Sequence, residues 1–379
     1  MTKVSGTWLT QAETAPVMDL LVRAGHQAYF VGGCVRDALA GVEVKDIDVS
    51  TDARPTRVME LAETAGMKAI PTGIDHGTVT LVSGAVPYEV TTFRRDVETD
   101  GRRAVVAFAD TMEDDALRRD FTMNALYARG DGTVLDPTGT GITDLAEGRV
   151  RFVGNATARI REDYLRTLRY FRFHARFGHS GPDPEALSAI ADTLDGLGTL
   201  SAERVGAEIK ALLSLADPSP SVATMEQAGV LARILPGATT TALAPLVHLE
   251  GDAPPNPIRR LAALGGEHTA DRLRLSRAET KALDILRDGI GSGDEPGALG
   301  YRHGYDAARD ILMLRAVFAS QPLADDALHN ARAGSQAAFP VTAADLMDRF
   351  EGKALGDALR DLEARWIASG FTLTRDDLL

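Results

Sequence analysis

The sequence YFVGGCVRDALAGVEVKDIDVST, at residues 29–51, predicts a strand, a tight turn at two glycines, a short helix and a second strand. Glycines at such a turn let a phosphate approach where a Cβ would block it, and the N-terminus of the following helix favours an anion. Gly32 and Gly33 are therefore predicted to hold a phosphate. Arg36 adds a fixed positive charge close to them.

Two carboxylates follow on the predicted second strand. Asp46 and Asp48 are two residues apart, so their side chains are expected on the same side of that strand. Adjacent carboxylates repel unless a cation lies between them, and Mg2+ binds oxygen ligands together with substrate phosphates. Glu89, on the predicted strand 86–93, is a candidate third acid, although a solvated strand glutamate explains it equally well. A metal site beside a phosphate cradle predicts phosphoryl or nucleotidyl transfer.

These motifs together resemble a known signature. GGxVRD at 32–37 followed by DxDxxT at 46–51 is similar to the polymerase-β-like nucleotidyltransferases, in the form of the class II tRNA nucleotidyltransferase (CCA-adding enzyme) and bacterial poly(A) polymerase family. RRDFTMNA at 118–125 resembles the family's second motif, and SAERVGAEIKALL at 201–213 resembles its neck motif. The resemblance implies an α+β fold, with a mixed-sheet nucleotidyltransferase head followed by an all-helical neck, body and tail.

The resemblance also implies an activity and its residues. The implied reaction adds CCA to the 3′ end of tRNA by metal-dependent nucleotidyl transfer from CTP and ATP, and it releases pyrophosphate. Asp46 and Asp48 are implied to be catalytic and to hold two Mg2+ ions. The implied nucleotide-binding residues are Gly32, Gly33, Arg36, Arg119, Asp163, Arg166, Arg169 and Arg172.

A second group of charged residues lies at 161–177, REDYLRTLRYFRFHARF, which lacks glycine and proline and is predicted to be one helix. From the residues alone, an ion pair between Glu162 and Arg166 at i,i+4 is the favoured interpretation. The spacing EDxxR followed by RxxR, however, resembles the family's amino-acid template for the incoming base. A carboxylate at Asp163 would accept from the amino group of C or A, and would face a carbonyl oxygen in U or G.

Arg169 and Arg172 are expected to engage phosphates or to position that helix. Arg119 is expected to assist with the triphosphate, because a guanidinium matches phosphate oxygens in pairs. For Asp120 and Asn124 the alternative is a capping and salt-bridge cluster within the head.

Residues 94–117 mix charges of both signs with little periodicity, and a mobile loop is predicted there. Arg94, Arg95, Arg102 and Arg103 are candidate contacts for a nucleic acid backbone, and a plain solvated loop is at least as good an interpretation.

Composition limits the class of protein. The chain has 379 residues, 44% apolar and 25% charged, without a run of about 18 apolar residues, so no membrane span is predicted. The single cysteine, Cys34, excludes an internal disulfide and is interpreted as a buried spacer. With no apolar signal segment at the N-terminus, a cytoplasmic protein is expected.

The charge distribution bears on the partner. The net charge is −13, which argues against loose, salt-driven coating of nucleic acid. Residues 91–180, however, carry 15 arginines against 14 acidic residues, so a local basic groove is compatible with the total.

Three domains are expected: a head at 1–150, a helical neck with the nucleotide-selecting helix at 151–216, and a helical body and tail at 217–379 that binds tRNA. Alternative functions are a CC-adding or A-adding specialist, a poly(A) polymerase of the same family, and a non-catalytic RNA-binding protein.

Overall fold

The computed structural model describes residues 2–100 and 103–379. Its strands are β1 Ala28–Val31, β2 Asp48–Thr51, β3 Lys68–Gly73, β4 Thr78–Ser83, β5 Val86–Thr92, β6 Arg94–Asp100, β7 Arg103–Phe108, β8 Tyr127–Ala128 and β9 Val134–Leu135.

The helices of the N-terminal half are α1 Thr7–Thr10, α2 Thr14–Arg23, α3 Gly33–Leu39, α4 Pro55–Thr64, α5 Met112–Leu117, α6 Gly141–Ala146, α7 Ala156–Glu162, α8 Leu165–Phe177, α9 Pro184–Ala191 and α10 Ala202–Leu213. Those of the C-terminal half are α11 Ser219–Gln227, α12 Val230–Ile234, α13 Leu243–Glu250, α14 Pro257–Leu264, α15 Thr269–Arg272, α16 Arg277–Gly291, α17 Pro296–His303, α18 Tyr305–Phe318, α19 Ala327–Gln336, α20 Gly352–Ala368 and α21 Arg375–Leu378. Short 3₁₀ helices occur at Ile74–His76, Thr122–Asn124, Leu194–Thr199 and Ala343–Asp345.

Seven strands of the described chain form one sheet, in the order β3-β4-β5-β2-β1-β8-β9. β2 and β5 are parallel, whereas the other neighbours in the sheet are antiparallel, so the sheet is mixed as expected. The predicted order of strand, glycine turn, short helix and strand is confirmed by β1, α3 and β2. The predicted strands near 77–82 and 86–93 correspond to β4 and β5.

One hydrophobic core holds this sheet. Helices α2 and α4 bury Leu21 and Val58 against the strand residues Phe30, Val49 and Leu81. α4 begins with Pro55, whose fixed φ suits the first helical turn and whose missing N–H leaves no donor unsatisfied there. This packing fixes the C-terminal end of β1, where the glycine turn lies, and the N-terminal end of β2, where the acidic residues lie.

The prediction of a loop at 94–117 is wrong, because this segment contains two strands and a helix. β6 and β7 pair as an antiparallel hairpin, and α5 follows, with Thr111 accepting from the backbone N–H of Asp114 at 3.3 Å as its N-cap. The alternation of β-branched residues along β6 is interrupted by charges of both signs, so the sequence pattern is weak. Arg102 lies outside the described residues, as does the side chain of Arg103.

The single helix predicted at 161–177 is also wrong. α7 ends at Glu162, Asp163 is extended (φ −155°, ψ 104°), and α8 begins at Leu165. The Asp163 carboxylate accepts from the backbone N–H of Leu165 at 3.1 Å. Aspartate competes for backbone N–H groups in this way, which favours a helix start over a helix interior.

The chain divides into two compact units, Met1–Glu208 with Gln227–Ile234, and Ile209–Glu226 with Leu235–Leu379. In the second unit Arg259 and Arg260 are fully buried and share the carboxylate of Glu250, with Asp310 as a further partner of Arg259. The domain limits predicted at 150 and 216 stay a prediction. In the described part of the chain, no helix has the length and apolar character needed to cross a membrane.

Candidate active site

The glycine turn joins the end of the central strand β1 to helix α3. Gly32 has φ +70° and ψ −116°, a conformation that glycine adopts without strain, and its N–H donates to the carbonyl of Leu126 at 3.0 Å. A Cβ at Gly32 would lie 3.1 Å from Nη1 of Arg119. Glycine therefore leaves room at this turn for an arginine, and the backbone N–H groups of α3 open beside it.

The acidic residues meet across two parallel strands. The register of β2 and β5 places Asp48 directly opposite Glu89. Asp46 lies in the extended segment just before β2, not on it, and the alternation continues through buried Ile47 and Val49. Parallel pairing therefore brings together two acids that are 41 positions apart in the chain.

The pKa of Asp48 shows how these carboxylates affect each other. Burial raises its pKa first, the negative charge of Glu89 raises it further, the guanidinium of Arg119 opposes the rise, and Asp46 adds to it. The resulting pKa is about 6, against an ordinary value of 3.8. Within the described residues, the Asp48 carboxylate has no hydrogen-bonding or ion-pairing partner, so its charge is not compensated by the protein.

This donor set fits a hard divalent cation. Carboxylate oxygens are the ligands that Mg2+ prefers, and a cation would relieve the repulsion that raises the pKa of Asp48. Residues 2–100 and 103–379 contain no group of three or more His, Cys, Asp or Glu side chains already arranged to hold a metal ion. A site built on Asp46 and Asp48 would need further oxygen ligands from substrate or solvent, as Mg2+ sites commonly do.

Arg119 faces both the glycine turn and the acids. Its Nη2 donates to Asp115 at 3.0 Å, its Nε to the hydroxyl of Tyr127 at 3.2 Å, and its Nη1 to the carbonyl of Asn124 at 3.4 Å. The side chain retains 20% exposure. Arg119 is thus held in one orientation, and each of its two terminal nitrogens has a further N–H for a ligand.

Arg36 is nearly buried and fully engaged. Its guanidinium donates to Asn124 Oδ1 at 2.6 Å, pairs with Asp37 at 2.6 Å, and lies over the rings of Phe173 and Phe177 at 5.0 and 4.7 Å. Burial lowers its pKa, and Asp37 opposes that effect. A Cβ at Gly33 would lie 3.8 Å from Arg36 Nη2, so this charge does sit beside the predicted phosphate cradle.

Asp120 and Asn124 form the salt-bridge cluster that was the alternative interpretation. Asp120 accepts from Asn124 Nδ2 at 2.9 Å and from Arg169 at 2.7 Å. Burial alone would raise the pKa of Asp120, but Arg169 and the hydrogen bonds more than offset it, and the pKa is lowered. This cluster links the 3₁₀ turn after Arg119 to α8.

Asp163 and Arg166 are both predicted to bind the nucleotide, and each has a different partner within the chain. The Asp163 carboxylate accepts from Arg204 at 2.7 Å, whereas Arg166 pairs with Glu162 at 2.6 Å. Arg166 also donates to the carbonyls of Arg159 and Arg118. The i,i+4 pair favoured from the residues alone is therefore confirmed, even across the break at Asp163.

Arg169 and Arg172 position α8. Arg172 donates to both oxygens of Glu208, at 2.6 and 3.3 Å, and Arg169 lies 3.7 Å from the same carboxylate. Both guanidinium groups also stack over Phe173. Of the two expected roles, the structure supports helix positioning.

Asp115 and Tyr127 were missed by sequence analysis. Asp115 is one of three consecutive acidic residues before RRDFTMNA, and its residue type does not distinguish it from its two more exposed neighbours. In the structure it is 1% exposed. A signal that could have found it is its helical spacing, since Asp115 and Arg119 are four residues apart.

Comparison with known proteins identifies two family models in the chain. Residues 28–151 match the "Poly A polymerase head domain". Residues 182–241 match "Probable RNA and SrmB- binding site of polymerase A". The first match spans the glycine turn, the acidic residues and Arg119.

One relative matches over nearly the whole chain and another over about half of it. The mitochondrial CCA tRNA nucleotidyltransferase 1 of Homo sapiens is 34% identical over 95% of this chain and 87% of its own length. The CCA-adding enzyme of Lacticaseibacillus paracasei is 41% identical over 52% of this chain and 49% of its own.

Solved structures agree with these matches. The Bacillus stearothermophilus CCA-adding enzyme in complex with CTP superposes with a TM-score of 0.75, at 26% identity, covering 94% of this chain and 92% of that one. The Thermotoga maritima CCA-adding enzyme complexed with tRNA has a TM-score of 0.71 at 18% identity, covering 100% and 98%, and supports the fold.

Proposed function

The chain belongs to the CCA tRNA nucleotidyltransferase family, and from that membership we propose that it adds C, C and A to the 3′ end of tRNA. The substrates are CTP and ATP, and pyrophosphate is released. The observation that carries the proposal is the placement of Asp48 opposite Glu89, beside the glycine turn and Arg119. A set of uncompensated carboxylates next to an anion-binding turn suits nucleotidyl transfer and does not suit simple RNA binding.

The 3′-terminal hydroxyl of tRNA releases its proton to solvent and attacks the α-phosphorus, the bond from that phosphorus to the oxygen bridging the α- and β-phosphates breaks, and pyrophosphate leaves. Gly33 would bind the triphosphate through its backbone N–H, Gly32 would leave room for the phosphates at the turn, and Arg36 would hold the turn through its bond to Asn124. Arg119 would orient the phosphates through the further N–H groups of its guanidinium. Holding the triphosphate in one orientation would favour in-line attack on the α-phosphorus.

Asp46 and Asp48 would hold Mg2+ ions, with Glu89 near enough in the sheet register to assist. The chemistry that two bound Mg2+ ions supply is charge neutralisation on the triphosphate and a lowered pKa for the attacking hydroxyl. The family implies dependence on a divalent metal. The number of ions and their identity as Mg2+ belong to this proposal.

Base selection would depend on Asp163. Its carboxylate can accept from the amino group of C or A, and U or G would leave it facing a carbonyl oxygen. The bond to Arg204 orients that carboxylate in the nucleotide-free chain. Arg166, bonded to Glu162, would reach a base only by exchanging that partner.

Incorporation of labelled CTP and ATP tests the function. Three tRNAs are supplied, ending at the discriminator base, at C, and at CC. We expect ordered addition that stops at CCA. Incorporation of CTP alone or ATP alone would indicate a CC-adding or A-adding specialist, and an unbounded A tail a poly(A) polymerase.

Metal dependence is tested in the same assay. EDTA should abolish incorporation, and added Mg2+ should restore it. Absence of incorporation with Mg2+ present, on all three tRNAs, would favour the non-catalytic RNA-binding alternative. A cytoplasmic location stays a prediction, since one relative is named as mitochondrial.

A further inference from the structure

We propose that Asp115 is the positioning residue for Arg119, holding its guanidinium in the nucleotide site and away from the metal-binding acids. The inference rests on the proposed function, because it assigns a partner to a residue of that same site. Asp115 belongs to α5, outside the glycine turn and outside the acidic strands. It would act through Arg119 and would not touch substrate.

Both oxygens of the Asp115 carboxylate accept hydrogen bonds. Its Oδ2 accepts from the hydroxyl of Tyr127 at 2.7 Å, from Arg119 at 3.0 Å and from Ser50 Oγ at 3.4 Å. Its Oδ1 accepts from the backbone N–H of Arg94 at 3.3 Å. At 1% exposure these bonds are shielded from water, so they are strong and directional.

The same contacts connect Asp115 to three strands, β2, β6 and β8. Ser50 is on β2, two residues after Asp48, and Arg94 is the first residue of the β6–β7 hairpin. Tyr127 is on β8 and also accepts from Arg119 Nε at 3.2 Å. One buried carboxylate thus ties the nucleotide-facing arginine to the acidic strand and to the start of the hairpin.

Arg119 has a competing electrostatic attraction. Its Nη1 lies beside the glycine turn at the end of β1, 3.1 Å from where a Cβ of Gly32 would be, and Asp48 and Glu89 face each other on the next two strands of the sheet. A long guanidinium side chain without Asp115 would be drawn towards Asp48 and Glu89. It would then neutralise the acids that the substrate complex needs. Because Asp115 supplies a nearer carboxylate, Arg119 remains available for phosphate.

A purely structural role is the competing explanation, since removing any buried carboxylate destabilises a protein. A double-mutant cycle separates the two explanations. If Asp115 acts through Arg119, the effect of Asp115→Asn on nucleotide affinity disappears once Arg119 is already alanine. If Asp115 only supports the fold, the two effects multiply.

The chain offers a matched control in Asp144. It is 0% exposed, accepts from Thr122 Oγ1 at 2.8 Å and lies 3.3 Å from Arg149 Nε, and it makes no contact with Arg119 among the described residues. Asp144→Asn should therefore lower the unfolding free energy as Asp115→Asn does. It should leave the Kd for CTP close to that of wild type.

The experiment measures the Kd for CTP by calorimetry, the KM for CTP in the tRNA assay, and urea unfolding. Variants are Asp115→Asn, Arg119→Ala, their combination, Asp144→Asn, and Asp144→Asn with Arg119→Ala. We expect Asp115→Asn to raise the Kd and KM for CTP by about 10- to 100-fold, because a small displacement of a positioning group has effects of that order. The combination with Arg119→Ala should be no weaker than Arg119→Ala alone.

Two results would overturn the inference: an unchanged Kd in Asp115→Asn, or factors that multiply in the double variant. If Asp115→Asn does not fold, Tyr127→Phe replaces it, since it removes the shared hydroxyl and keeps both charges. We expect a rise of about 3-fold in the Kd for CTP, and no change would count against the inference. Failure of the proposed function is distinguishable, because wild type itself would then incorporate neither CTP nor ATP.

Discussion

Two groups of carboxylates in the same sheet-based region have opposite surroundings. Asp48 lies opposite Glu89 and two residues from Asp46, and burial together with repulsion from these two acids raises the pKa of Asp48 to about 6. Asp115 and Asp120 are more deeply buried, yet arginine partners and hydrogen bonds hold their pKa values below the ordinary range. We call the first group the site acids and the second the paired acids.

The difference teaches that burial does not by itself identify a functional acid. Each paired acid has an arginine within 3.0 Å that compensates its charge. For the site acids, the described residues offer Asp48 only the more distant influence of Arg119. Uncompensated charge is what a cation-binding site requires before the cation arrives.

The largest expected effect comes from a site acid. Asp48→Asn should lower CCA incorporation by about 1,000-fold, the size of effect seen when one electrostatic contribution to a transition state is removed. In EDTA its unfolding free energy should be unchanged or slightly higher, because repulsion with Glu89 is relieved. Steady-state incorporation and urea unfolding measure both quantities. The exposed Asp75→Asn is the control, and reduced stability with retained activity would place Asp48 among the paired acids.

A paired acid should behave in the opposite way. Asp120→Asn leaves the Arg169 guanidinium without its 2.7 Å partner and should lower the unfolding free energy by about 3 kcal/mol. Urea unfolding at pH 7 measures this directly. A loss below about 1 kcal/mol would show that the pair is no stronger than a surface ion pair, and the distinction drawn here would then fail for Asp120.

Acid pH tests the paired acids without a substitution. A carboxylate whose folded pKa is lowered contributes stability above its unfolded pKa, near 3.8, and loses it as the pH falls through the folded pKa. Wild type should therefore lose unfolding free energy as the pH falls below about 4. Asp120→Asn should show a shallower slope, by at most about 1.4 kcal/mol per pH unit. Equal slopes would mean that Asp120 does not titrate with unfolding.

Local patterns in the sequence predicted the local structure of the site. The strand, glycine turn, helix and second strand at 29–51 follow from apolar runs and glycine positions, and the structure has them. The fold class also followed, through motifs that stand in a recognisable order. These features depend on residues close together in the chain, where sequence periodicity carries the information.

Non-local pairing could not be predicted in the same way. The parallel register that sets Asp48 opposite Glu89 depends on how β2 and β5 align, and the residues between them do not encode that alignment. For the same reason the sequence does not decide between a functional and a solvated role for Glu89. The bonds of Asp115 to Tyr127 and Ser50 could not be predicted, because these partners lie on β8 and β2, away from α5 in the chain.

The break at Asp163 has a more local cause that was overlooked. The sequence 161–177 has no glycine or proline, so helix propensity alone favoured one continuous helix. The aspartate instead adopts an extended backbone after α7, and its carboxylate accepts from the N–H of Leu165 two residues further on. An aspartate inside an apolar helical pattern can divide it in this way, and the residue predicted as template lies at that division.

The smallest expected effect concerns two ion pairs that involve α10. Arg204 and Asp163 are 50% and 33% exposed, so solvent screens their attraction. Arg204→Met should change the unfolding free energy by less than about 1 kcal/mol.

The second ion pair is the more buried comparison. Glu208→Gln, which removes the partner of Arg172 at a site only 12–17% exposed, should lower the unfolding free energy by about 3 kcal/mol. Urea unfolding of both variants compares them, and equal losses would mean that exposure does not separate the two pairs. If Arg204→Met loses less unfolding free energy than Glu208→Gln, the bond from Arg204 to the Asp163 carboxylate contributes little to stability. A nucleotide can then replace Arg204 at the Asp163 oxygen without destabilising α8.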